Sequence, residues 1–220
     1  MTQPKSVGES TYSAIRQDIF MGTWPPGSRL KLEQLRKQYD TSVTTLREIL
    51  NRLSAEGFVL AEGNKGFEVS PISATELREV GELRVLLENH AIALSFAQGD
   101  VEWESRVVAT HHRLKHSEAR VIAGDDSARP QWKQDDIDFH HALISACGSK
   151  TLMEMHDMVF SRYLRYQMLT LTCRGEVTAE DHQNFLDYAL ARDTAKAQAL
   201  LLSHVTKGIE HAIAHNQQLI

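Results

Sequence analysis

A chain of 220 residues with 42% hydrophobic and 24% charged side chains has the composition of an ordinary globular protein, long enough for one large core or two small ones. No run of about 18 apolar residues occurs, which excludes a membrane-spanning helix. The opening Met1-Thr2-Gln3-Pro4-Lys5 has no apolar stretch of the secretion-signal kind, so a cytoplasmic location is expected. The net charge of −5 does not mark a nucleic-acid binder, but it is uneven. Residues 1–72 hold nine Lys/Arg against eight Asp/Glu, and the remainder 15 against 21. DNA contact, if any, is expected in the first third. Cys147 and Cys173 lack a metal-type spacing and read as buried free thiols.

In chain order, Ile15, Ile19 and Phe20 recur at helical spacing in a segment that starts near Ser10 and stops near Gly22. Pro25-Pro26-Gly27 is a turn signal. Leu32, Leu35 and Tyr39 predict a short second helix. Ser42 is placed to cap a third helix with Leu46, Ile49, Leu50 and Leu53 on one face, and Gly57 stands where a left-handed C-terminal cap is expected. Phe58-Val59-Leu60 and Phe67-Glu68-Val69 flank a Gly-containing connection, which predicts a hairpin. Three helices followed by a hairpin make a winged helix-turn-helix.

Beyond Pro71 the β signals fade. Ser73-Ala74-Thr75-Glu76 has the capping-box pattern and opens a long helix that breaks at Gly99-Asp100. Further helices are predicted over 101–123, 131–147, 150–172, 179–191 and 194–215. The fold class is therefore mostly α: a winged helix-turn-helix over 1–72, then an antiparallel all-α bundle over 73–220.

In a helix-turn-helix the second helix enters the major groove, and its first turn faces bases and phosphates. Here that turn carries the hydroxyls of Ser42, Thr44 and Thr45, which can donate to phosphate, and Arg47, which can fork onto guanine. Lys65 at the hairpin tip is the fifth candidate. The alternative is a merely capped helix with a solvated arginine. The segment Gly22 to Leu30 with its Pro25-Pro26-Gly27, then Thr41 to Gly57 with Arg47-Glu48, and Asn64-Lys65-Gly66, resembles the DNA-binding domain of the GntR family. The resemblance implies a homodimer on a short palindromic operator. Two positions depart from the pattern. Val43 stands where the family often has arginine, which removes one base contact. Thr45 stands where proline is common, as it does in the fatty-acid-responsive branch.

The second part carries a different pattern. Asp136 and His140, four residues apart, share a helix face with Trp132, Leu143 and Cys147. His182 shares one with Phe185, Leu186 and Ala189, and His204 follows Ala197, Leu200 and Leu201. Three helices thus aim ligand-type side chains along apolar stripes. Three imidazoles and one carboxylate suit a divalent metal such as Zn²⁺ or Ni²⁺, while hydrogen-bonded core histidines are the alternative. His211 shares the face of His204 and is its possible substitute. His141 reads as surface, and His111, His112, His116 and His156 show no partner pattern.

Arg84 to Glu88, Asp136 to His140, Asp181-His182 and Ala191 to His204 resemble the FCD effector domain of the FadR-type GntR regulators. The resemblance implies a metal held by Asp136, His140, His182 and His204, as in the metal-holding branch of that group. It also implies a small carboxylate effector anchored there, with Arg84 as its clamp and Arg162 and Arg165 as second choices. Arg84 and Glu88 also form an ordinary i, i+4 pair. Chain length and the Cys147-Gly148-Ser149 neighbourhood are similar to the carbon-starvation-induced regulators of glutarate and aminobutyrate catabolism, which points to a dicarboxylate such as glutarate. A metal-dependent enzyme acting on a small carboxylate is the rival function. It lacks HExxH, activated-serine and nucleotide-loop motifs in this chain. A purely structural metal in a constitutive repressor is a third.

Overall fold

Apolar residues three and four apart build each element of the first core. In the computed structural model, residues 7–61, 63, 66–170, 174–216 and 219 are described; Lys65 and Cys173 lie outside them. Helix α1 (Val7–Phe20) buries Ile15 and Ile19, α2 (Leu32–Tyr39) buries Leu35, and α3 (Val43–Ala55) buries Leu46, Ile49, Leu50 and Leu53. Ser42 accepts the Thr45 amide at 3.1 Å and so caps α3. Gly57, at a φ of 84°, turns the chain out of the helix, a conformation that costs a glycine little. The hairpin forms as expected, from β2 (Val59–Ala61) and β3 (Phe67–Val69). A third strand, β1 (Arg29–Leu30), adds itself to the other edge of β3, giving the order β1-β3-β2. Its two residues were too few to register as a periodic run.

The second core is helical. It comprises α4 (Ala74–Gln98), α5 (Val101–Ile122), α6 (Arg129–Ile144), α7 (Lys150–Thr170), α8 (Glu176–Leu190) and α9 (Thr194–His215), with a short 3-10 turn at Asp126–Ala128 before α6. Helix α4 packs on α7 and α9, and α5 on α6 and α8. Phe139, Phe185, Tyr166, Leu201 and Ala197 are among the residues sealed between them. Helix α6 ends three residues earlier than its periodicity suggests, and α8 begins three residues sooner, directly after Gly175. Cys147 is a buried free thiol. No described helix is long and apolar enough to cross a membrane.

The capping box at Ser73 closes differently from its sequence pattern. Ser73 accepts the Glu76 amide as expected. Glu76, however, sends its carboxylate to α7, where it accepts from Arg162 and from the Tyr166 hydroxyl, and the Ser73 amide meets Tyr166 instead. Tertiary partners with longer reach outcompete the local one. The same helix joins the two cores: Arg165 donates to the Ser70 carbonyl, Arg16 of α1 donates to Ser161, and Leu164 and Met168 pack against the first core.

Candidate functional site

The first turn of α3 stands open to solvent. Ser42, Thr44 and Arg47 are exposed and Thr45 is partly so, while the opposite face of the helix holds the core. Ser42 and Thr45 also share a hydrogen bond between their hydroxyls at 2.9 Å, so one of these two protons is used internally. Arg47 has no ion-pair or hydrogen-bond partner among the described residues. Its neighbour Arg52, by contrast, is committed to Glu9, Glu56 and the face of the Tyr12 ring. Arg47 is thus the unengaged cation at the mouth of this helix.

In the second core, α6 supplies Asp136 and His140, α8 supplies His182 and α9 supplies His204, because each sits on its helix's apolar stripe. One nitrogen from each of the three imidazoles lies within 4.8 Å of the others. Asp136 Oδ1 stands 3.2 Å from His182 Nε2 and 3.7 Å from His140 Nε2. All four side chains are buried. The Nε2 atoms of His140 and His182 make no good hydrogen bond, which is costly for buried polar atoms unless another group satisfies them.

The outer nitrogens of His182 and His204 are held by carboxylates to which the sequence reading gave no such role. His182 Nδ1 meets Glu118 of α5 at 3.2 Å, and His204 Nδ1 meets Asp181 of α8 at 3.1 Å. A carboxylate behind an imidazole, as at these two of the three, is the arrangement that orients metal-binding histidines. Burial pushes His140 well below the ordinary histidine range and His204 down to about 4, so both are neutral and able to donate a lone pair. Burial also opposes charge on His182, but the neighbouring carboxylates of Asp136 and Glu118 outweigh it and carry that group up to about 9. Asp136 is held well below the carboxylate range: burial works against it, and Lys133, 3.0 Å away, leads the groups that overcome it.

These residues open onto a small cavity of about 30 Å³, room for one or two water molecules. Asp136, His140 and His204 line it, as do Arg84, Tyr163 and Arg174. Arg84 is buried and donates to both oxygens of Glu88, at 2.8 and 3.3 Å, with its guanidinium against Phe160 and Tyr163. The carboxylate of Glu88 also pairs with His156, whose Nε2 lies 2.8 Å away. His156 thus belongs to a buried triad with Arg84 and Glu88, a role no spacing announced because its partner is 68 residues distant. Arg162 and Arg165 are not on the cavity wall. They are turned to Glu76 and Ser70 at the junction of the two cores. His141 is at the surface beside Asp157, and His211 lines the cavity without joining the three-histidine cluster.

Comparison with known proteins covers both parts. Residues 8–69 match the bacterial regulatory proteins of the gntR family, and residues 79–207 match the FCD domain. The chain is 36% identical to the HTH-type transcriptional regulator BphR of Paraburkholderia xenovorans, over 93% of this chain and 84% of that one. It is 32% identical to the HTH-type transcriptional repressor GlaR of Escherichia coli, over 93% and 96%. Among solved structures, a GntR transcriptional regulator from Rhodococcus sp. RHA1 superposes with a TM-score of 0.76 at 22% identity, covering 97% of this chain and all of that one. E. coli McbR/YncC gives the same score at 19%, covering 96% and 99%. The families and relatives are transcriptional regulators, and the enzymatic alternative falls with that finding.

Proposed function

Because the chain belongs to the GntR family of bacterial regulators and carries an FCD domain, we propose that it is a repressor whose hold on operator DNA is governed by a small carboxylate bound beside a metal in its C-terminal helices. DNA binding and transcriptional regulation come with the family; repression, the metal and the carboxylate are this reading's own. The repressor sense is supported by the relative GlaR, which bears that description. The reading divides the chain into a DNA-binding part over 1–72 and an effector-binding and dimerising part over 73–220.

One observation carries the reading: three buried imidazoles from three helices converge with two unsatisfied nitrogens beside a carboxylate. Donors to Zn²⁺ or Ni²⁺ sit at about 2.0–2.2 Å from the ion, so small ring rotations would let His140, His182, His204 and Asp136 share one. A bound ion supplies a Lewis-acidic anchor for a carboxylate oxygen. His182 joins such a set only after giving up its proton, which makes uptake dependent on pH.

The cavity is too small for a multi-carbon acid as it stands, so an effector must move its walls. Tyr163 and Gln167 of α7 are among them, and α7 also carries Arg162, Arg165 and Met168 to the junction with the DNA-binding part. Displacement there alters how two DNA-reading heads of a dimer meet half-sites about one helical turn apart. An effector that binds the off-DNA state about 100-fold more tightly supplies roughly 2.7 kcal/mol of coupling. Glutarate is the first dicarboxylate to try.

A thermal-shift screen of small carboxylates, run with and without chelator, tests this. A hit is expected to stabilise the metal-loaded protein, to lose its effect on chelation and in His182→Ala, and to weaken operator binding in a gel shift. Stabilisation that survives both treatments would exclude the metal-anchored reading. A hit that leaves operator affinity unchanged would make the metal a structural element in a constitutive repressor.

A further inference from the structure

The cations around the cavity are not equivalent. Arg84 is neutralised by Glu88 through two hydrogen bonds, and Lys133 by Asp136. Arg174, between α7 and α8, has no carboxylate within ion-pair distance among the described residues, and its Nη1 is buried without a partner. Its one polar contact among the described residues is Nη2 to His204 Nδ1 at 3.3 Å. That nitrogen also faces Asp181 Oδ2 at 3.1 Å. A guanidinium only donates, and an Nδ1 that donates its proton to Asp181 has no lone pair left to accept one. The charge-assisted bond to Asp181 is the stronger of the two. With His204 in that tautomer, both terminal nitrogens of Arg174 lack an acceptor among the described residues.

Thr178 stands next to it on the same wall. It is 5% exposed, lines the cavity, and its Oγ1 has no hydrogen-bond partner. It belongs to the first turn of α8, a helix of 15 residues whose N-cap position, Gly175, provides no side-chain cap. A helix start presents backbone N–H groups and positive potential to an anion. A forked cation and an unpaired hydroxyl thus line the same cavity at the start of α8, where the Thr178 amide itself donates to the Gly175 carbonyl.

We propose that the acid group of the effector is received by Arg174, Thr178 and the first turn of α8, and that Arg84 is a structural cation rather than the clamp. This rests on the carboxylate-effector reading and specifies which residues read the charge. A carboxylate there accepts from the guanidinium fork with one or both oxygens and from the threonine hydroxyl.

The test is calorimetric titration of the Zn²⁺-loaded full chain with a panel of mono- and dicarboxylates of two to six carbons, followed by Arg174→Gln, Arg174→Lys and Thr178→Val with the best binder. Arg174→Gln is expected to weaken that acid at least tenfold, Thr178→Val about threefold or more, and Arg174→Lys less than Arg174→Gln. Zn²⁺ titrated alone should bind all three within threefold of the unmodified protein. Binding of the acid within twofold of normal in Arg174→Gln overturns the proposal and leaves the effector reading standing. Equal losses of acid and Zn²⁺ affinity would show that Arg174 acts only through His204, which also overturns it. If Arg174→Gln fails to fold, an undiminished affinity in Thr178→Val decides against it. A panel with no binder sinks the effector reading and this proposal together.

Discussion

At the scale of single residues, what a buried histidine can do is set by the atom behind it. Glu118 occupies Nδ1 of His182 and Asp181 occupies Nδ1 of His204, so the other nitrogen of each ring is aimed at the cluster. Glu118→Gln keeps a polar side chain there but weakens the acceptor. Zn²⁺ affinity, measured by competition with a chromophoric chelator, is expected to fall about 10- to 100-fold with little change in helical content. Glu88 offers a pH signature. Burial raises its pKa, but Arg84 and His156 outweigh burial and hold the carboxyl far below the ordinary 4.5. A group depressed in the folded state contributes its full stabilisation above its unfolded value, and loses it as pH falls towards the folded one. Stability of the metal-free protein, followed by urea denaturation, should therefore drop below about pH 4.5. Glu88→Gln should be less stable at pH 7, by about 3–5 kcal/mol for a buried arginine left unpaired, and flatter through the acidic range.

At the scale of elements, α3 and α7 carry the two halves of the reading. Helix α3 is anchored by four buried aliphatic residues and capped by Ser42, with its first turn left exposed. Arg47 lies on that turn without a partner among the described residues, so removing it should not disturb the fold. Arg47→Ala is expected to weaken operator binding at least tenfold, since a base or phosphate contact is worth roughly 1–3 kcal/mol and a dimer loses two. The thermal midpoint should stay within about a degree, and an unchanged gel-shift affinity would remove Arg47 from the interface. Helix α7 does the opposite job, with one face on the cavity and another on the junction. Its tight fit against α9 is visible at Gly208, where a Cβ would lie 2.7 Å from the Tyr163 hydroxyl. A bulkier residue would push Tyr163 into the cavity.

For the whole molecule, the two cores are separate apolar clusters joined along α7, by a few polar contacts and by the packing of Leu164 and Met168. Arg165 to Ser70, Arg162 to Glu76 and Tyr166 to Ser73 tie α7 to the segment that leaves the wing. Such a junction can shift without unfolding either side. Replacing Arg165 with alanine is expected to preserve both operator binding and carboxylate binding. The ligand-induced loss of operator affinity should shrink several-fold. Gel shifts with and without the screened acid read this directly, and a fully retained response would show that the signal travels elsewhere.

Local pattern was sufficient for the order of the elements, because apolar periodicity, the Ser42 and Ser73 caps and the glycine breaks are written in adjacent residues. It also pointed to Asp136, His140, His182 and His204, since each stands on an apolar stripe where a polar side chain needs a reason. Neither the two-residue strand β1 nor the true partner of Glu76 could be read that way, because both depend on neighbours far along the chain. The same holds for Glu118, Asp181, His156 and Arg174: each acquires its role from a residue on another helix. Three-dimensional packing also took Arg162 and Arg165 away from the cavity and neutralised Arg84 against Glu88. Periodicity says which face of a helix turns inward; only packing says which charges then meet.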